Sequence, residues 1–191
     1  RHALAALAEQ GLVHSRRGSG VFVAQRPTNY PLGRRVRFHQ NVLAAGQTPS
    51  RRISRAETRP CDAEEARALQ LKPGEAVHVV EGVSMADGQP IAAFRSVFPA
   101  ARFAGLLEWV QETGSITKAL AASGLTDYTR AETRMTAQLA DPLQAVALAI
   151  RAGAPVLRTV AVNVDPGSAP VELGTTWFAG ERVTLTVSDQ P

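Results

Sequence analysis

The chain has 191 residues, 45% of them hydrophobic and 20% charged, the balance of one globular domain with room for part of a second. No apolar run approaches the roughly 18–20 residues that a membrane span needs, and the opening Arg1-His2-Ala3-Leu4 has no signal core, so a cytoplasmic protein without membrane contact is expected. The single cysteine, Cys61, excludes an internal disulfide and a cysteine-rich metal site. The net charge of +4 is unevenly divided: residues 1–55 hold ten arginines against one acid, a net of +9, while residues 56–191 are net −5. A basic front on an acidic body is the pattern of a nucleic-acid contact surface joined to a separate domain.

In chain order, Leu4 and Leu7 share a helical face in an alanine-rich segment that Gly11 can cap. Leu12–Ser15 and Val21–Val23 then flank the polar turn Arg16-Arg17-Gly18-Ser19-Gly20, which predicts a short hairpin tipped with arginines. A helix and a hairpin are too little to close a core, so the helices that would complete this unit are expected outside the chain as given. Residues 25–35, with two prolines and no periodicity, read as a linker. Beyond it the pattern predicts a helix over 38–45, a strand over 50–59, a helix from an Asp62 cap to Leu71, and a hairpin of 76–85 with 90–98 about Asp87-Gly88. Helices follow at 103–112 and 116–123, then a strand at 128–139, a helix at 141–150 and strands at 156–165, 171–178 and 183–187. The sum is an α+β domain, with a mainly antiparallel sheet and outer helices.

Catalytic chemistry finds no foothold in this pattern. Cys61 has no adjacent histidine, and the four histidines (His2, His14, His39 and His78) lack metal-ligand spacing. Gly18-Ser19-Gly20 lacks the lysine of a phosphate-binding loop, and no dinucleotide fingerprint follows a strand. Neither an enzyme, a cofactor nor a metal is expected. An anion site is the better prospect: Gly114-Ser115-Ile116-Thr117 opens a helix whose amides, with the Ser115 and Thr117 hydroxyls, could hold an anionic head group.

Read as one run, RHALAALAEQGLVHSRRGSGVFVA resembles the end of the GntR-type winged helix-turn-helix. The resemblance implies contact with operator DNA from Arg1 on the recognition helix and from Arg16, Arg17, Gly18 and Gly20 on the wing. The segments FHQNVLAAGQTPSRRI, LQLKPGEAVHVVEGVSMADGQPIAAFRSVFP, TGSITKALAASGL and PVELGTTWFAGERVTL follow the order of the UTRA effector domain of HutC-type regulators, which has a chorismate-lyase-like fold. Within that group they look most like regulators of phosphonate metabolism. The implied organisation is the end of a winged helix at 1–24, a linker at 25–35 and a UTRA domain at 36–188.

Sugar-phosphate-responsive relatives use an arginine pair on the strand before the Asp-Gly turn, where this chain has Gly82 and Ser84. They use a glutamate where this chain has Phe94, with Arg95 beside it. The glutamate of the last hairpin is kept as Glu172, and a tyrosine six residues later is replaced by Phe178. The resemblance thus implies a pocket rebuilt around Ser84, Glu172 and Phe178. Arg95, His39, Asn41 and Arg37 are the candidate replacement anion contacts, although strand alternation sets Arg95 opposite Phe94. Arg130 and Arg134, four apart, share one face of a regular strand and read as solvent-exposed beside Glu132. The expectation is a dimeric repressor whose UTRA domain binds a small anion, a phosphonate or phosphate compound, to modulate operator binding. A ligand-free dimerisation module is the alternative, and a chorismate-lyase-type enzyme a remote one.

Overall fold

The computed structural model describes residues 3, 4, 6, 13–16, 20–23, 27–35 and 37–187, with only the backbone of 13–16 and 20–23. Ala3, Leu4 and Ala6 are helical. Strands β1 (Val13–Arg16) and β2 (Gly20–Val23) form the hairpin, with Arg16 opposite Gly20. Arg1, Arg17 and Gly18 lie outside the described residues.

The segment expected as a linker contains a strand. Thr28–Pro31 forms β3, which pairs in parallel with the last strand, β10 (Val183–Thr186), and buries Tyr30. Pairing with a strand some 150 residues away is a tertiary event that two local prolines conceal. Helix α1 (Phe38–Ala44) follows and buries Val42.

The body is a six-stranded sheet in the order β4-β5-β6-β9-β8-β7, every neighbouring pair antiparallel. Strands β4 (Pro49–Pro60), β5 (Ala76–Ala86) and β6 (Gln89–Pro99) run as a meander. Asp87 and Gly88, both with positive φ, make the tight turn that two antiparallel strands require. The chain then crosses through α3 (Leu106–Thr113) and α4 (Ile116–Ala122) to the far edge, β7 (Thr129–Leu139). It returns inward by β8 (Pro155–Val164) and β9 (Pro170–Ala179), so that β9 docks against β6 and closes the sheet.

Caps explain where the small helices begin. Asp62 accepts from the Glu65 amide and Glu65 answers at the Asp62 amide, a reciprocal box that starts α2 (Ala63–Leu69). Asp141 and Gln144 do the same for α5 (Pro142–Leu148), with Pro142 at its first turn. The predicted helix over 103–112 begins only at Leu106, since Gly105 in the left-handed region precedes it and no side chain caps it.

The two faces of the sheet are covered differently. On one, α3 and α4 bury Leu106, Val110, Ile116 and Leu120 against Val80, Phe94 and Phe98. Each such side chain contributes about 1.5–3 kcal/mol on full burial. On the other, α2 packs Ala66 and Leu69 on Val77, Val79, Val97 and Leu173. The first face carries the hollow described next.

Candidate effector-binding site

Small side chains make the hollow. Across the centre of the sheet one rung reads Ser96, Gly174 and Ala161, on β6, β9 and β8, where flanking rungs carry Phe94 or Glu172 and Asn163. With α4 and the segment before β7 as a roof, the rung leaves a cavity of about 80 Å³. Its wall is polar, with Thr159, Thr176, Asn163 and Glu172 from the sheet and Thr117 at the rim.

Three arginines line this cavity: Arg37, Arg51 and Arg130. Arg37 stands over the Tyr128 ring at 3.6 Å and donates to the Tyr128 carbonyl at 3.1 Å. The Arg51 guanidinium lies 4.7 Å from the ring centres of both Phe38 and Phe94, held by cation–π contacts. The Nε atoms of Arg51 and Arg130 are sealed from solvent without a hydrogen-bond partner, and neither side chain makes an ion pair among the described residues. Burial pulls both guanidiniums below the ordinary arginine value, partly offset by Tyr30, Glu172 and Tyr128 nearby. Glu172, the one carboxylate in the lining, is bonded by Asn163 at 2.7 Å. Three cations against one anion leave the cavity net positive.

The tyrosines complete the lining. Burial raises the phenols of Tyr30 and Tyr128, so both remain neutral hydroxyls at neutral pH. Tyr128 lies 3.4 Å from the Thr117 hydroxyl, and Tyr30 packs on Phe178 with ring centres 5.1 Å apart.

Of the residues singled out from the sequence, the structure brings Arg37, Thr117 and Glu172 to the cavity. Ser115 is the N-cap of α4, accepting from the Lys118 amide at 3.3 Å, and is not in the lining. Phe178 backs Tyr30 from the core. Ser84 is buried opposite Arg51 in the register but does not reach the cavity wall. Asn41 donates to the Pro31 carbonyl at 3.1 Å and lies outside the lining, a positioning contact behind the wall. His39 is exposed on α1 and outside the lining.

Arg95 is a correction to the candidate set. It projects from the opposite face of the sheet, as alternation from Phe94 requires, and bonds Glu65 at 2.7 Å and Glu81 at 3.3 Å. Glu65, 1% exposed, is also held by Arg59 at 2.6 Å, so Arg95 belongs to an ion network under α2.

Sequence reasoning missed Arg51, Tyr30, Tyr128 and Asn163, and misplaced Arg130. A bulge between Arg130 and Glu132 breaks the alternation of β7. Arg130 therefore turns into the cavity, while Arg134 stays outside and pairs with Glu132 at 2.9 Å. Arg51 had a legible signal: two residues before Ile53, the only large apolar residue of its strand, it must share the inward face.

A wider groove of about 470 Å³ lies on the other face, between α2 and β7–β8. Its floor is Val160, Val162 and Leu173, and its rim charges include the already paired Arg134 and Glu132. It lacks the sealed, unpartnered guanidinium Nε atoms that Arg51 and Arg130 bring to the arginine cavity. No group of three or more His, Cys, Asp or Glu that could hold a metal occurs among the described residues, and no helix there is long and apolar enough to cross a membrane.

Residues 44–184 match the UTRA domain, so the chain belongs to the UTRA-domain family. It is 38% identical over 189 residues to RB1450 of Rhizobium meliloti (strain 1021), an uncharacterized HTH-type transcriptional regulator, covering 98% of this chain and 77% of that one. It is 28% identical to PhnF of Escherichia coli (strain K12), a probable transcriptional regulator, covering 98% and 78%. Among solved structures, PhnF from Mycobacterium smegmatis superposes with a TM-score of 0.77 at 24% identity, over all of this chain and 83% of that one. The chain is thus a transcriptional regulator of the GntR superfamily, HutC type, with a UTRA effector domain, rather than an enzyme.

Proposed function

We propose that the arginine cavity is the effector site of a cytoplasmic, homodimeric repressor, and that its effector is a small phosphonate or phosphate compound. One observation carries the reading: Arg51 and Arg130, each half-buried with a sealed and unpartnered Nε, converge on a single cavity and make no ion pair among the described residues. An unpaired buried cation costs several kcal/mol, and an anion seated between two guanidinium forks recovers that cost. The cavity's small volume favours a compact tetrahedral head group over a sugar phosphate. The resemblance of the sequence to regulators of phosphonate metabolism accords with a phosphonate.

Function then follows by linkage. The effector prefers one arrangement of the dimer, and the winged helices, through Arg1, Arg16, Arg17, Gly18 and Gly20, match operator half-sites only in the other. Moving such an equilibrium from mostly bound to mostly released takes roughly 10⁴-fold preference, about 5.5 kcal/mol, which two pockets per dimer can share.

Thermal melting against methylphosphonate, 2-aminoethylphosphonate, inorganic phosphate, glucosamine 6-phosphate and urocanate tests the effector. A ligand at 100 times its dissociation constant adds about 2.7 kcal/mol of stability. A shift confined to the phosphonates and phosphate supports the reading. Silence across all five, or a response to urocanate alone, overturns it.

A further inference from the structure

The arginine cavity holds a carboxylate that its cations leave unused. Glu172 is 8% exposed and lines the same wall as Arg51 and Arg130, yet it makes no ion pair with either. Burial lowers both guanidiniums and Glu172 works against it, so its field reaches them. Opposite charges in a low-dielectric interior attract strongly, and something must keep these apart. The register shows what does. Arg130, Asn163 and Glu172 are direct neighbours along one rung of β7, β8 and β9, with the asparagine in the middle. Asn163, itself 7% exposed, donates from Nδ2 to Glu172 Oε2 at 2.7 Å. The other carboxylate oxygen, Oε1, takes no hydrogen bond among the described residues. It lies beside Gly174, where a Cβ would stand 3.5 Å from it. Gly174 belongs to the rung of small residues that opens the hollow, so the bare backbone leaves Oε1 uncovered on the cavity side.

We propose that Asn163 holds Glu172 off the arginines so that Oε1 is kept for a cationic group on the effector. The cavity then selects a short zwitterion, an aminoalkyl phosphonate or phosphate ester, over the same head group without an amine. This deepens the effector reading and rests on it. A bare dianion gains from the guanidiniums but is repelled by the carboxylate on the same wall. An ammonium on the same molecule turns that repulsion into a charge-assisted hydrogen bond, so one residue both rejects the wrong ligand and rewards the right one. The charges then alternate through the site, from guanidinium to phosphonate to ammonium to carboxylate. Glu172 sets the specificity in this arrangement. Asn163 is a positioning residue: an ionised carboxylate only accepts, and the asparagine amide occupies the oxygen nearer Arg130 along the rung.

Titration calorimetry on the 191-residue chain tests this with two matched pairs, 2-aminoethylphosphonate against ethylphosphonate and phosphoethanolamine against ethyl phosphate. The better-bound pair identifies the head group, and the ratio within it reads the ammonium. Wild type is expected to prefer the amine-bearing member by roughly 10- to 100-fold, the range of a hydrogen bond to a charged group. Glu172→Gln is expected to remove that preference, with the amine-free member binding more tightly than it does to wild type. Asn163→Ala is expected to weaken the amine-free member by roughly tenfold or more, as Glu172 closes on an arginine. Adding Glu172→Gln to Asn163→Ala is expected to restore it, which a merely structural defect would not allow. A wild-type ratio within about threefold, or a preference that survives Glu172→Gln, overturns the selection and leaves the arginine site standing. A loss in Asn163→Ala that Glu172→Gln does not restore overturns the role of Asn163. Failure of all the compounds to bind overturns the effector reading together with this one.

Discussion

Replacing Arg51 by methionine separates a binding arginine from a structural one. Arg51 has two aromatic contacts, an unpartnered Nε and no ion pair among the described residues. Removing a buried charge in favour of an apolar side chain of similar length relieves about 1–4 kcal/mol. Against this stand two cation–π contacts of about 0.5–1 kcal/mol each, partly replaced by sulfur–aromatic contacts of about 0.3–1.5 kcal/mol. The net is a ligand-free protein between about 1 kcal/mol less and about 4 kcal/mol more stable than wild type, a melting temperature from about 3 °C lower to about 12 °C higher for a chain of this size. Binding moves the other way. Losing one partner of a buried charge-assisted pair costs about 2–5 kcal/mol, so phosphonate affinity falls by roughly 30-fold to several thousandfold. Differential scanning calorimetry without ligand and titration calorimetry with it give both numbers from one preparation. A variant that melts well below wild type yet binds phosphonate within threefold of it would show that Arg51 holds the fold and not the ligand.

Arg95→Met is expected to leave ligand affinity within twofold, because the side chain faces Glu65 and Glu81 across the sheet, while lowering stability by about 1–3 kcal/mol as Glu65 loses a partner. Gly82→Ala places a Cβ 2.3 Å from the Arg52 carbonyl oxygen and 3.0 Å from the Phe94 ring, so a loss of about 1–3 kcal/mol and weakened anion binding are expected by denaturant melts and calorimetry. At Glu65, burial works to raise the carboxyl's pKa, but hydrogen bonds from Arg59 and the Asp62 amide hold it below the ordinary value. Its stabilisation is complete above the unfolded carboxyl's value and disappears as pH falls through the depressed one; Glu65→Gln is expected to flatten the acid limb of the melting curve below about pH 4.3. Burial lowers His78 despite the Phe103 backbone and Glu108, so the native ring stays neutral while the unfolded one takes up a proton. Stability is therefore lost as pH falls from about 6.5 toward the depressed native value, and a His78→Phe variant should show less of that slope.

What could be read from the sequence was what local chemistry decides. Asp62 and Asp141 mark helix starts because their carboxylates cap them, and Asp87-Gly88 marks the hairpin because both residues sit at positive φ. Alternation placed Arg95 opposite Phe94. The rest depended on partners far away in sequence. β3 exists because β10 lies beside it, and nothing near Tyr30 announces that. Arg130 faces the cavity because one extra residue bulges from β7, a shift of register that a strand pattern does not reveal. The cavity itself arises from the rung Ser96–Gly174–Ala161, three small residues dispersed over 79 positions of sequence. Gly82 and Phe94 also become intelligible together: the glycine leaves room for the ring, and the ring braces Arg51, so the cation reaches the cavity from β4 rather than β5.

The most direct test is a crystal structure of the chain grown with 2-aminoethylphosphonate. The phosphonate oxygens are expected within hydrogen-bonding distance of the Arg51 and Arg130 guanidiniums, with Thr117 and the two tyrosine hydroxyls around them. A phosphonate bound instead at Arg95, at the start of α4 away from the arginines, or in the groove beside β7, with the cavity unchanged, would contradict the account.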